Sequence, residues 1–132
     1  MGALELSGFD ELEAELRKLD MYDEVAPKLL DGSIDILESN LKKETAKHKG
    51  SGKMHNSISS QKAKKNKYGW YAVTRPRGVD DKGVRNMDKL AYLEYGTSKQ
   101  PATPVIAPAV NNSAAATEER MQKLFDEMVG DG

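Results

Sequence analysis

The chain has 132 residues, with 38% hydrophobic residues, 31% charged residues and a formal net charge of −1, which is enough for one domain and one core. A mean hydropathy of −0.68 implies a modest core under a highly charged surface, a composition that oligomerisation often completes. The absence of cysteine excludes disulfides and thiolate metal sites, and no apolar run approaches the roughly 20 residues that span a bilayer. With no visible signal peptide, the expectation is a soluble protein, intracellular at synthesis.

Phe9, Leu12, Leu16 and Leu19 recur at helical spacing behind a run of acids, and Ser7 is placed to cap them, which predicts a helix over about 8–20. Asp23 reads as a second N-cap, with Pro27 in or near the first turn. Val25, Leu29, Leu30, Ile34, Leu37 and Leu41 then give one apolar face, predicting a long helix through Lys47 in spite of Gly32. Lys49-Gly-Ser-Gly-Lys53 ends it in a flexible loop. Ser57–Lys64 and Tyr68–Arg75 read as paired strands joined at Lys65–Lys67, the second rich in aromatic and β-branched residues. Arg75–Met87 reads as an exposed loop, and Asp88 as the cap of a short segment through Tyr95. Val105–Val129 reads as a long helix with Ala109, Val110, Ala114, Thr117, Met121, Leu124 and Met128 on one face. The fold expected is α+β: two long helices packed on a small antiparallel β-sheet, with long flexible loops. It forms a single domain over 1–132, with N-terminal helices about 8–48, sheet and loops about 57–104 and a C-terminal helix about 105–129.

The catalytic inventory is thin. His48 and His55, both in the lysine-rich region, lie seven residues apart across two glycines, unlike a compact metal spacing, and read as solvated. Ser51 or Ser57 beside them would be ordinary loop residues before they would be nucleophiles. Lys49–Lys53 lacks the phosphate-loop frame and follows a helix, not a strand. Asp80-Asp81 reads as a turn. No enzyme activity, catalytic residue, metal or cofactor is expected.

The small net charge conceals an asymmetry. Residues 1–40 carry −8, residues 41–77 carry +10, residues 78–99 balance, and residues 100–132 carry −3. The basic middle has two readings: lysines that pair with acids of the same or the next subunit, or a surface that meets nucleic acid. Lys62, Lys64, Lys65 and Lys67 cluster at the hairpin tip, where point charges would give non-specific, salt-dependent contact with DNA. Trp70 and Tyr71 read as core before they read as base-stacking residues.

The segment from Leu90 to Val110 is the most informative. An apolar-aromatic run with Tyr92, Leu93 and Tyr95 stops at Gly96, passes through a loop stiffened by Pro101 and Pro104, and re-enters an apolar helix. Tyr92, Leu93 and Tyr95 read most simply as core or strand-edge residues; the alternative is that they lie under a neighbouring subunit with the two prolines. The order Tyr-Leu-Glu-Tyr-Gly-Thr, then Pro-Ala-Thr-Pro, then a small apolar helix start resembles the neck and tail-completion (head–tail joining) proteins of long-tailed bacteriophages. Gly52-Lys53-Met54-His55-Asn56-Ser57-Ile58 is similar to that family's Gly-x-Leu-x-x-Ser-Ile element, with Met54 in place of the leucine. Val105-Ile106 stands where the family often has an aromatic. The resemblance reaches from about Lys42 to the C-terminus.

The resemblance implies a structural virion protein located at the neck or the head-proximal end of the tail, with the host cytoplasm as its site during assembly. Partners would be further copies in a ring, hexameric first and dodecameric second, adjacent neck or tail-tube proteins, and the passing genomic DNA through non-specific contact, with no membrane. The interface would use Tyr92, Tyr95, Gly96, Pro101 and Pro104, and the DNA channel Lys62, Lys64, Lys65 and Lys67. Loops around 48–56 and 76–87 would order on docking. The alternative from another class is a small non-specific DNA-binding protein using the lysine-rich hairpin.

Overall fold

The computed structural model describes residues 10–48 and 52–130. In chain order these form helices α1 (Asp10–Lys18), α2 (Tyr22–Asp31) and α3 (Ile34–Thr45, continued by a 3-10 turn at Ala46–His48), then the single-turn helix α4 (Lys53–Asn56). Strands β1 (Ser59–Ser60), β2 (Lys64–Asn66), β3 (Gly69–Tyr71) and β4 (Thr74–Arg75) follow, then helices α5 (Asn86–Tyr95) and α6 (Ile106–Val129). The fold is mixed α+β, and α6 is as expected. The expected cap Ser7, together with Phe9 and most of the Lys49–Lys53 loop, lies outside the described residues.

The long helix expected through Lys47 is instead two helices, broken at Gly32-Ser33. The cause is packing. A Cβ on Gly32 would lie 2.7 Å from Leu124 Cδ1 and 3.1 Å from the Lys28 carbonyl, so the missing side chain lets α6 close onto the turn. Arg120 Nη1 locks the same place by donating to the Gly32 carbonyl (3.0 Å) and pairing with Asp35 (3.3 Å). Asn40 Nδ2 donates to Ser113 Oγ (2.8 Å) further along, so α3 and α6 run antiparallel. The start of α2 also differs from expectation. Met21 occupies the N-cap position, Asp23 sits in the first turn, and Pro27 lies inside the helix.

The hairpin forms as two short ladders. Ser59 pairs with Arg75 and Ser60 with Thr74, whereas Lys64 pairs with Tyr71, Lys65 with Trp70 and Asn66 with Gly69. Between them three residues, 61–63, oppose two, 72–73, so the register shifts by one, which is the signature of a bulge. The reversal falls at Lys67-Tyr68, not at Lys65–Lys67; neither central residue is a glycine or has a positive φ, and Gly69, the first residue of β3, takes φ +124°. A side chain there would also collide with the Tyr22 hydroxyl.

One continuous core unites these parts. Leu16, Val25, Leu29 and Leu30 of the first two helices meet Leu37 and Leu41 of α3, Met54, Ile58, Leu90, Val105, Ala109 and Met121. On α6 the buried line is Ala109, Ser113, Thr117 and Met121; Ala114 is half-buried and Met128 exposed. Burial of that helix stripe, not propensity alone, holds the 24-residue helix in place.

Candidate functional site

The segment joining α5 to α6 is built around one glycine and one glutamate. Gly96 ends α5 at φ +78° and ψ 176°, a region essentially confined to glycine. A Cβ there would stand 2.8 Å from the Ala102 amide nitrogen and 3.2 Å from the Gln100 carbonyl. The loop folds back over this gap: Thr97 N–H donates to the Gln100 carbonyl (2.9 Å) and Thr103 N–H to the Leu93 carbonyl (2.8 Å). Thr97 Oγ1 accepts from the Lys99 and Gln100 amides, each at 3.2 Å.

Glu94 completes the fastening. Its Oε1 accepts from the Val105 and Ile106 amides at 2.7 and 2.5 Å, and its Oε2 from the Ala107 amide at 3.3 Å. A carboxylate from α5 thus satisfies the otherwise unpartnered N–H groups at the start of α6 and sits at the positive end of its dipole. Val105 beneath it is fully buried. The sequence reading missed Glu94, because a cap eleven residues upstream leaves no local spacing signal.

This fastened segment leaves Tyr92 and Tyr95 outward, 49% and 66% exposed. Their reading as core is therefore corrected: α5 spends Leu90 and Met87 on the core, packs Leu93 against it, and turns both tyrosines to the surface. Pro101 and Pro104 are exposed beside them in the chain, and Gly96 is half-buried at the base. The five residues expected to form an interface share one short segment of defined backbone.

The hairpin presents different chemistry. Its inner side is pinned by α2: Asp23 Oδ1 accepts from Lys65 Nζ (2.7 Å) and Trp70 Nε1 (2.9 Å), and the Tyr22 hydroxyl accepts from the Trp70 amide (2.7 Å). The hydrogen bonds from Lys65 and Trp70 hold the Asp23 carboxyl below its ordinary range. Arg17 stacks over the Tyr22 ring at 4.0 Å. Lys65 is therefore committed to an acid of its own chain. Lys62, Lys64 and Lys67 are exposed and form no ion pair among the described residues, and Lys67 lies 5.1 Å over the ring of Tyr68, which is 80% exposed. Trp70 packs against the core.

Other basic residues of the middle region also find acids nearby: Lys42 meets Glu38, Lys47 meets Glu44 and Lys53 meets Asp81. Burial pushes Glu38 up, but hydrogen bonds from Ser60 and Lys42 outweigh it and leave the carboxyl lowered.

The 76–87 segment is a small hydrogen-bonded hairpin, with Val79 bridged to Arg85. Asp80 organises it, accepting from the Lys82 and Val84 amides (2.8 and 2.9 Å) and pairing with Lys89 Nζ at 2.7 Å. The Lys89 hydrogen bond and then the Val84 and Lys82 amides bring the Asp80 carboxyl down from 3.8 to about 2. The expected turn at Asp80-Asp81 is present. The expected cap at Asp88 is not: Arg85 precedes the helix and Asp88 lies in its first turn.

His55 is not solvated as expected. Its Nδ1 lies 2.8 Å from Thr45 Oγ1, which also reaches the Leu41 carbonyl at 3.0 Å. His48 is exposed. Ser57 Oγ donates to the Met54 carbonyl (2.8 Å) and accepts from the Arg77 amide (3.1 Å), a capping arrangement at the end of α4. The described residues contain no group of three or more metal-ligating side chains and no helix long and apolar enough to cross a membrane.

Comparison with protein-family models, curated proteins and solved structures gives no match.

Proposed function

We propose that this chain is a structural component of a long-tailed bacteriophage, joining head to tail or completing the tail by closing into a ring at the neck. One observation supports the reading most: the Tyr92–Pro104 segment, which carries the resemblance, is fixed at both ends and still holds two tyrosines in solvent. The core of the single chain does not use these two exposed rings. An interface does, because aromatic side chains bring large contact area with few rotors, and a preformed loop has little ordering entropy left to lose. A surface patch meeting a different patch on the next copy closes into a cyclic ring when the rotation permits. The resemblance supplies the sixfold expectation, with a twelvefold ring second.

The test is co-sedimentation with purified tail tubes from the same source, comparing the wild-type chain with Tyr92→Ser/Tyr95→Ser. Wild-type protein should pellet with the tubes and the double variant remain in solution with an unchanged circular dichroism spectrum. Equal pelleting of both would remove the tyrosines from the interface, and pelleting of neither would contradict the assembly reading.

A further inference from the structure

We infer that the β2–β3 hairpin, along its outer side and at its tip, is a contact surface for the phosphate backbone of duplex DNA, carried by Lys62, Lys64 and Lys67 and not by Lys65. The four lysines look equivalent in the sequence. The structure divides them. Lys65 and Trp70 are cross-strand partners, and both reach Asp23 on the inner side. Lys64 pairs across the ladder with Tyr71, so period-two alternation places it on the opposite side from Lys65. Lys62 lies in the bulged stretch and Lys67 at the turn; both are exposed, and neither has an acid within ion-pair distance among the described residues.

The mount suits this partner. A two-stranded ribbon matches the width of the duplex major groove, and this ribbon is anchored to the body through Asp23 and the Tyr22 hydroxyl. Two carboxylates accept hydrogen bonds from the ribbon, Asp23 from Lys65 and Trp70 and Asp31 from the Ala63 amide (2.6 Å), and of these Asp23 is paired with a cation. Arg17, stacked on Tyr22 at the ribbon's base, is itself paired with Glu13 (3.4 Å) and is not counted among the contacts. Lysine point charges contact phosphates without reading bases, so the binding is indifferent to sequence. Three phosphate contacts imply a log–log salt slope of about −2.7, or an affinity loss of about 40-fold between 50 and 200 mM salt. The competing occupant is the acidic surface of a second copy.

Trp70, the chain's single tryptophan, is held on the inner side of the ribbon, so binding is read from the fluorescence anisotropy of an end-labelled duplex. A 20-base-pair duplex of random sequence is titrated with the full chain, starting at low salt. The wild type should show a saturating change whose midpoint moves with salt as above. Lys65→Gln should keep the same slope, since Lys65 makes no phosphate contact, and lose far less affinity than the triple variant, its loss coming from the Asp23 charge it leaves unpaired. Lys62→Glu/Lys64→Glu/Lys67→Glu should lose the response while keeping the wild-type circular dichroism spectrum. No response from the wild type, or the same affinity for the triple variant, would overturn the inference. So would a triple variant that binds duplex normally but loses self-association, because the lysines would then serve a neighbouring copy. None of these outcomes bears on attachment to tail tubes, so this surface and the assembly reading stand or fall separately.

Discussion

The α5–α6 loop and the β2–β3 hairpin project from the same core but hold their shape by opposite means. The loop is fixed by backbone geometry: a glycine-only conformation at Gly96, main-chain hydrogen bonds across it, and a carboxylate spent on three amides of α6. The hairpin is fixed by side chains, chiefly the exposed Asp23 gripping Lys65 and Trp70. The first kind of mount is insensitive to salt and intolerant of substitution. The second is screened by salt and, Gly69 excepted, tolerant of substitution. A surface that must dock a protein in one orientation is served by the first, and one that meets a uniform polyanion by the second.

The strongest way to break this contrast is Gly96→Ala. The strained φ and the 2.8 Å approach to Ala102 leave no room for a methyl, and a loss of about 3 kcal/mol is expected in urea denaturation. A loss near zero would mean that the loop is not held by its backbone. Glu94→Ala comes next, at about 2 kcal/mol, because it strips the start of α6 of its acceptor. Glu94→Gln should recover part of that, since an amide oxygen still accepts.

A smaller, local effect is expected from acid at Asp80. Its carboxyl is lowered on folding, so its contribution is complete above the ordinary value of 3.8 and disappears as pH falls toward about 2. Amide exchange at Val84 should therefore accelerate over that window in the wild type and be fast and pH-flat in Asp80→Asn, after correction for intrinsic exchange. The smallest effect on stability belongs to Tyr92→Ser/Tyr95→Ser, within about 0.5 kcal/mol, because both rings are in solvent. A large loss of stability there would show that the tyrosines serve the monomer after all.

The parts of this fold that were legible in the sequence are those where one physical signal acts alone. The 24-residue α6 carries an uninterrupted apolar stripe, and Gly96 followed by two prolines announces a turn followed by a stiff loop. The parts that were not legible depend on residues far apart in the chain. The break at Gly32 needs Leu124 of α6 to fill the space that a side chain would occupy. The turn at Lys67-Tyr68 depends on Gly69 fitting beneath the Tyr22 hydroxyl, which shifted the reversal from Lys65–Lys67. The division of the lysines rests on Asp23, 42 residues before Lys65. Likewise α5 has a weakly amphipathic pattern in which aromatic residues fall on both sides, so composition suggested burial where the helix in fact turns Tyr92 and Tyr95 outward.

The central claim is assembly through the rigid loop at one end of a tail tube. Its most direct test is electron cryomicroscopy of the purified chain mixed with tail tubes from the same source. The expected result is a closed ring of density at the head-proximal end only, with Tyr92 and Tyr95 at a subunit or tube interface. Bare tube ends, or density spread along the tube wall, would contradict it.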